Sequence, residues 1–456
     1  MAPKFGTSGL RGLVLELTPE LVADYTRAFI AACPTGGAVM VGRDYRPSSP
    51  EIAQVVLRTV AECGLRAIDL GALPTPALAL ACISEGCGAV MVTGSHIPAD
   101  RNGLKFYIPE GEITKADETA ILGALGAPAG PGGGTLEADA GAAGRYGARY
   151  VAGFGPEALR GLRVGVYEHS SVAREILGEV LAGLGADVVR LARSESFIPV
   201  DTEAVDPETR AQFARWCAEN RLDALVSTDG DADRPMVTDA AGEVIPGDIL
   251  GALTARSLGA EVICTPVSSN SMIAGMGFGR IVLTRIGSPF VIAAMAQETG
   301  AVVGYEANGG FLLGFEAQGP AGPLAPLMTR DCLLPILAPL AAAKAAGLPL
   351  AGLVAALPPR FTAADRLTEI PTERAAELIA ELKDAPARRD AFFAPGKVTE
   401  VDLTDGLRAR FADGSVVHLR ASGNAPEFRC YVEADSKAAA AGLLAAYLEK
   451  LAARLR

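Results

Sequence analysis

Apolar, β-rich runs alternate along the chain with Gly-containing turns and amphipathic stretches, a repeated pattern that predicts βα units and mainly parallel sheets. Strands are predicted at Ala38–Val41, Ala67–Leu70, Ala89–Val92, Arg163–Tyr167, Ala224–Ser227, Val262–Thr265, Ile281–Thr284 and Val302–Tyr305, with helices over Ser171–Leu184 and Pro289–Glu298. The stretch Gly126–Gly144, rich in Gly, Ala and Pro, has no usable hydrophobic period and reads as a loop or linker. Further breaks are predicted at Pro246-Gly247-Asp248 and in the Pro/Arg-rich stretch 358–372. Beyond the last break the pattern changes to antiparallel strands at Lys397–Leu403, Leu407–Phe411, Val416–Leu419 and Arg429–Glu433. Ala412–Ser415 makes a hairpin turn there, and a closing helix spans Ser436–Arg456. The expected fold class is α/β: three successive mixed or parallel α/β domains (1–145, 146–246, 247–362) and a C-terminal α+β domain (363–456).

Composition narrows the function. A length of 456 residues, half of them hydrophobic, excludes a single small domain and a wholly disordered chain. Lys plus Arg number 41 against 53 acidic residues, a net charge of −12, which argues against DNA or RNA as main partner. The same field repels phosphate esters, so a phosphorylated substrate needs a local gathering of Arg, Lys and backbone N–H donors. Eight cysteines (33, 63, 82, 87, 217, 264, 332, 430) without a C-x-x-C pair read as reduced thiols of a cytoplasmic chain. The start carries no long apolar core of a signal peptide, and Lys344 with Pro335, Pro339, Pro349 and Pro358 breaks the apolar stretch 332–359. No membrane span is expected.

Several turns that follow predicted strands carry chemistry. Thr93-Gly94-Ser95-His96 places a hydroxyl beyond the carboxyl end of a strand, where parallel sheets present groups to ligands. Ser95 is a candidate nucleophile or phosphate carrier, Lys105 a proton-transfer group or phosphate clamp returning to it, and His96 a structural hydrogen-bond partner. Asp229-Gly-Asp231-Ala-Asp233-Arg234 sets three carboxylates at alternate positions, which repel one another unless a cation holds them, and their hard oxygens suit Mg²⁺. An EF-hand loop fails, since Arg234 and Ala240 stand where it needs Gly and Glu. A nucleophilic aspartate beside Mg²⁺, or a plain solvated turn, is compatible with the same residues. Glu306-Ala-Asn308-Gly309-Gly310 can hydrogen-bond sugar hydroxyls. Arg420, Ser422, Gly423, Asn424 and Arg429 gather the donors a phosphate cradle requires. Arg11, Arg43 and Arg46 add cations on Gly- or Pro-rich turns, where single arginines usually lie at the surface.

Taken in order, Phe5–Gly12, Thr93–Lys105, Asp229–Arg234, Glu306–Gly310 and Arg420–Arg429 resemble the signature loops of the α-D-phosphohexomutase superfamily, and the resemblance spans the chain. It implies four domains around a central cleft, each giving one loop to the active site. By that resemblance Ser95 carries the phosphoryl group, Asp229, Asp231 and Asp233 bind Mg²⁺ together with a phosphoserine oxygen, and Arg234 sits beside them. Lys105 is implied as acid/base and Arg11 as a residue of the catalytic centre. Glu306 and Asn308 hold the sugar, and Arg420, Ser422, Gly423, Asn424 and Arg429 hold the phosphate that is not reacting. The implied reaction passes through a hexose 1,6-bisphosphate, which also serves as activator.

The Glu-Ala-Asn-Gly-Gly loop is most similar to bacterial phosphomannomutases, so mannose 6-phosphate is the expected substrate. Glucose phosphate or dual specificity comes next, then glucosamine phosphate, with a non-catalytic phosphosugar-binding protein or an aspartyl-phosphate phosphatase as readings from other classes. The expected assembly is a monomer or homodimer. The sequence departs from the common pattern at Gly94 and Ile97 in the serine loop, at Asn424-Ala425, and at Gly310, where several bacterial relatives have a histidine. It also departs at Thr284–Pro289, which lacks an Asp and a Lys and where Arg285 can supply the charge.

Overall fold

The computed structural model describes all residues except 1–2, 7–8, 422–426 and 456. It forms two compact units, Met1–Ile263 with Gly287–Val354, and Cys264–Ile286 with Ala355–Arg456.

The first unit begins with an eight-stranded sheet. Strands Gly88–Val92, Ala38–Arg43 and Arg66–Ala72 run parallel at its centre, because each is joined to the next by a crossover helix. The antiparallel strand Arg101–Ile108 pairs with Gly88–Val92 in a register that sets Lys105 opposite Met91. Strand Leu10–Leu13 follows, with Arg11 opposite Gly103. Gly88–Val92 is buried at every position, as expected for a strand covered on both faces. Its core includes Val39, Val41, Val90, Phe106 and Phe29, the last from helix Pro19–Ala32.

A second sheet of five strands orders Asp187–Arg193, Arg163–His169, Ala224–Thr228, Pro235–Thr238 and Val244–Ile245, the first three parallel. A third set, Val302–Tyr305, Phe311–Leu313 and Leu327–Asp331, is antiparallel. In the second unit Phe361–Thr368, Glu427–Ala434, Val416–Ala421, Leu407–Phe411 and Val398–Asp402 form one antiparallel sheet. Helix Lys437–Leu455 packs on it through Tyr447 and Leu451, so the closing helix is a sheet-covering element, as expected. Gly414 turns the predicted hairpin at φ 84.

Two predicted breaks contain strands. Thr135–Ala138, inside the stretch read as a linker, pairs parallel with Arg66–Ala72 at the sheet edge. All four of its residues are exposed, so it carries no apolar alternation to read. Phe361–Thr368 lies inside the 358–372 break and pairs over eight positions with Glu427–Ala434. It too is an edge strand, with only Leu367 buried. Among the described residues no helix is long and apolar enough to cross a membrane, and all eight cysteines are free thiols.

Candidate active site

The Ser95 turn is built from its backbone. After the buried strand Gly88–Val92 the chain turns with Ser95 at φ 56, in the left-handed region. A non-glycine residue stays there only when its surroundings hold it. Ser95 is fully buried, and its N–H donates to Thr93 Oγ1 at 2.8 Å. Arg46 grips the turn from beneath. Its Nε donates to Asp44 (3.1 Å), Nη1 to the carbonyls of Pro98 and Arg101 (2.6 and 3.0 Å), and Nη2 to those of Ser95 and Ile97 (2.8 and 2.6 Å). All five guanidinium donors are thereby used. The Phe197 ring covers the guanidinium at 4.2 Å. Arg46 is 1% exposed, so the expected surface arginine is an internal strut, fixed because its charge is met by buried Asp44. Gly94 makes the room, since a Cβ there would lie 2.6 Å from Arg46 Cζ.

The Ser95 hydroxyl donates to Asp229 Oδ2 at 2.8 Å. That carboxylate opens the acidic loop after strand Ala224–Thr228, where Asp229, Asp231 and Asp233 are each wholly buried. Their ligand-capable oxygens lie within 4.8 Å of one another. Lys105 Nζ donates to Asp231 Oδ2 (2.5 Å) and Asp233 Oδ2 (2.6 Å), and Thr75 Oγ1 also donates to Asp231 Oδ2 at 2.7 Å. The lysine predicted to return toward Ser95 is thus delivered by the strand register to its neighbouring carboxylates. Arg330 Nη2 is the second cationic group on Asp233 Oδ2, at 2.9 Å. The other oxygens, Asp231 Oδ1 and Asp233 Oδ1, are buried without a hydrogen-bond partner. Buried hard anionic oxygens without a protein donor are what a metal ion requires. The triad can hold one.

Burial, reinforced by the charges of Asp231 and Asp233, pushes the Asp229 carboxyl well above its ordinary range. Burial acts upward on Asp231 as well, but the Lys105 ammonium and the hydrogen bonds from Lys105 and Thr75 hold it below the usual range. At Asp233 burial is likewise outweighed, chiefly by Arg330. His96 Nδ1 lies 3.4 Å from Ser95 Oγ. Burial and the nearby Arg234 push that imidazole down to about 3, so it is neutral beside the hydroxyl. Arg234 is 8% exposed, with Nε 3.8 Å from Asp233. Arg11 is lowered to about 10, first by burial and then by Arg234.

The turn between Val302–Tyr305 and Phe311–Leu313 presents Glu306 and Asn308. Asn308 Oδ1 accepts from the Gly310 N–H at 3.0 Å, and Gly309 takes φ 88. Glu306 Oε2 is buried without a hydrogen bond and has Arg330 Nη1 at 3.9 Å. Burial raises its carboxyl, against the pull of Arg330 and Arg234. In the second unit Asp405 Oδ2 accepts the Ile286 N–H (2.9 Å) and faces Arg420 Nε (3.0 Å). Arg285 next to Ile286 is exposed, and Arg429 Nη2 donates to Glu427 at 3.4 Å. Ser422, Gly423 and Asn424 lie outside the described residues.

The structure therefore gathers Ser95, Lys105 and the three aspartates in the first unit, and adds Arg330 and Thr75, which sequence reading passed over. Arg330 had a signal: Arg330-Asp331 is a charged pair inside the apolar run Leu324–Leu340, and such charges are seldom buried without partners.

A serine on a clamped turn and a buried acidic triad on successive α/β sheets fit the phosphohexomutases, enzymes of the isomerase class. Models of the phosphoglucomutase/phosphomannomutase α/β/α domains I, II and III match residues 2–127, 148–242 and 246–361, and the C-terminal domain model matches 367–450. The chain belongs to that four-domain family. It is 46% identical to a phosphomannomutase of Sinorhizobium fredii, over 98% of each chain. With a phosphomannomutase of Salmonella muenchen it shares 42% identity over 99% of this chain and 96% of the relative. In fold it is similar to a phosphoglucomutase/phosphomannomutase family protein from Burkholderia thailandensis, with a TM-score of 0.79, 23% identity, and coverage of 98% and 97%.

Proposed function

We propose that the chain interconverts mannose 6-phosphate and mannose 1-phosphate, with Ser95 as phosphoryl carrier and a mannose 1,6-bisphosphate that turns around between the two transfers. The hydrogen bond from Ser95 Oγ to Asp229, beside the undonated oxygens of Asp231 and Asp233, carries this reading. The two full-length relatives named phosphomannomutase support mannose as the sugar. Asp229, Asp231 and Asp233 would hold Mg²⁺, which supplies positive charge against the transferring phosphoryl group. Arg46 and Asp44 keep the Ser95 turn in its left-handed conformation, so the hydroxyl is aimed without rearrangement.

Lys105 serves as the acid/base, with Arg11 and Arg234 stabilising charge on the moving group. Glu306 and Asn308 orient the sugar hydroxyls. Arg285, Arg420, Ser422, Gly423, Asn424 and Arg429 of the second unit take the phosphate at rest, and hexose 1,6-bisphosphate primes the serine. The domain limits 1–145, 146–246, 247–362 and 363–456 follow the sequence breaks. The free thiols suit a reducing cytoplasm. The test is a ³¹P NMR time course with Mg²⁺ and a trace of hexose 1,6-bisphosphate on mannose, glucose and glucosamine 1-phosphates. A kcat/KM for mannose at least about tenfold above the others, roughly 1.4 kcal/mol, is expected; equal rates reject mannose selectivity. Ser95→Ala should abolish turnover while keeping its melting profile, and a substantial residual rate rejects Ser95 as carrier.

A further inference from the structure

Arg330 stands between two loops that the sequence places about seventy residues apart, and it does so from a third element. It rises from strand Leu327–Asp331 and is 4% exposed. Its Nη2 takes Asp233 Oδ2 at 2.9 Å, its Nη1 lies 3.9 Å from Glu306 Oε2, and its Nε lies 3.6 Å from Glu112. A guanidinium can reach several carboxylates at once, whereas an ammonium acts as a single point charge.

The approach is made possible by Gly310. A Cβ on that residue would stand 2.9 Å from Arg330 Cγ and Cδ and 3.1 Å from its Cβ. These are stem atoms, pinned by the ion pairs at the far end, so they cannot swing aside as a free side-chain tip would. Gly310 needs no special backbone conformation, since it is absent from the positive-φ glycines. The glycine is there for space, and Arg330 fills that space. Gly310 and Arg330 therefore work as a pair: whatever stood on position 310 would displace the cation.

We propose that Arg330 is a positioning residue that joins the acidic loop to the sugar loop. With Lys105 it occupies Oδ2 of Asp233 and leaves Oδ1 without a hydrogen bond, while its other arm, 3.9 Å from Oε2, keeps Glu306 in place as an acceptor for sugar hydroxyls. The inference rests on the phosphohexomutase reading for its sugar arm only. Two opposite consequences follow from one side chain. Removing a buried cation bonded to a metal ligand strengthens divalent-ion binding, because the site becomes one charge more negative. Removing the partner of Glu306 weakens sugar binding.

The experiment uses the full chain and four proteins: wild type, Arg330→Ala, Gly310→Ala and the double variant, with Arg330→Met as a volume-preserving substitute if the alanine does not fold. Mn²⁺ binding and mannose 6-phosphate binding are each measured by calorimetry, and KM and kcat are measured beside them. In Arg330→Ala, Mn²⁺ should bind about threefold tighter or more, and the sugar phosphate about tenfold weaker, with the loss in KM rather than kcat. Gly310→Ala should shift both affinities in the same directions by displacing the stem. The double variant should match Arg330→Ala rather than the product of the two single effects. A parallel loss of both affinities with a lower melting temperature, no change in either, or multiplicative effects in the double variant overturns the proposal. If wild type neither binds nor turns over any hexose phosphate, the functional reading falls instead. The Mn²⁺ affinities of the same four proteins then still decide the Gly310–Arg330 pairing.

Discussion

The Ser95 turn and the acidic loop are two buried polar turns, each rich in charge and each at the end of a buried strand, and they are satisfied in opposite ways. Beneath Ser95 every donor has an acceptor: five N–H groups of Arg46 meet one carboxylate and four carbonyls. Asp44 in turn accepts from Arg46, Ser49 and Thr93. In the acidic loop the donors crowd onto Oδ2 of Asp231 and Asp233 and leave both Oδ1 atoms without a hydrogen bond. A saturated network rigidifies, and an unsaturated one is stable only if something else completes it. Burial and charge alone therefore do not mark a working group. The leftover valence does.

The largest break in that contrast comes from the saturated side. Arg46→Met leaves Asp44 buried without its cation and four carbonyls without donors, which should cost about 3–5 kcal/mol of stability, read as a fall in the urea midpoint. Asp229→Asn is its counterpart. Burial and two like charges already push that carboxyl toward its neutral form, so the amide should shift stability by less than about 1 kcal/mol while Mn²⁺ binding is lost. Equal destabilisation by both would show that the two networks are of one kind.

Much of this was legible in the chain. Ser95 and the Asp-x-Asp-x-Asp run stand out because reactive types sit on turns directly after apolar strands, and the buried strands Gly88–Val92 and Ala224–Thr228 lie where the apolar pattern places them. The edge strands Thr135–Ala138 and Phe361–Thr368 were illegible for the converse reason: they face solvent, so nothing imposes an apolar alternation. The burial of Arg46 is not legible in the chain, because sequence shows a cation on a Pro-rich turn but not the carbonyls that fold around it. The sequence offers Lys105 as a group returning toward the serine loop but does not give its carboxylate partners, since the register that sets Met91 opposite Lys105 is a tertiary fact.

A smaller effect probes the support of the acidic loop. His169 is fully buried with Nε2 2.9 Å from the Thr228 carbonyl, at the root of that loop. Burial, partly opposed by that hydrogen bond and aided by Arg174, lowers its imidazole to about 4. The unfolded chain takes up this proton near pH 6.5 and the folded chain only near 4. The unfolded state thus binds more protons between those values, and stability is lost as pH falls through that window, by up to about 3 kcal/mol. His169→Gln should flatten this part of the profile in urea titrations at pH 7 and pH 4.5. An unchanged slope would place the acid sensitivity elsewhere.

The smallest effect bears on how tightly the saturated turn is fitted. A methyl group on residue 94 would meet Arg46 Cζ at 2.6 Å, Nε at 2.8 Å and Nη2 at 2.9 Å. A guanidinium is the mobile end of its side chain and could usually step back, but here all five of its donors are committed and the Phe197 ring lies over it at 4.2 Å. Gly94→Ala should therefore cost about 1–3 kcal/mol, the range for overpacking a filled interior. Placed in the Arg46→Met background the same alanine should cost much less, because the planar head it strikes is gone. Urea midpoints of the two single variants and the double variant give the coupling. A coupling of more than about 0.5 kcal/mol locates the penalty at the guanidinium, and strict additivity would mean that Gly94 is required by its own backbone rather than by Arg46.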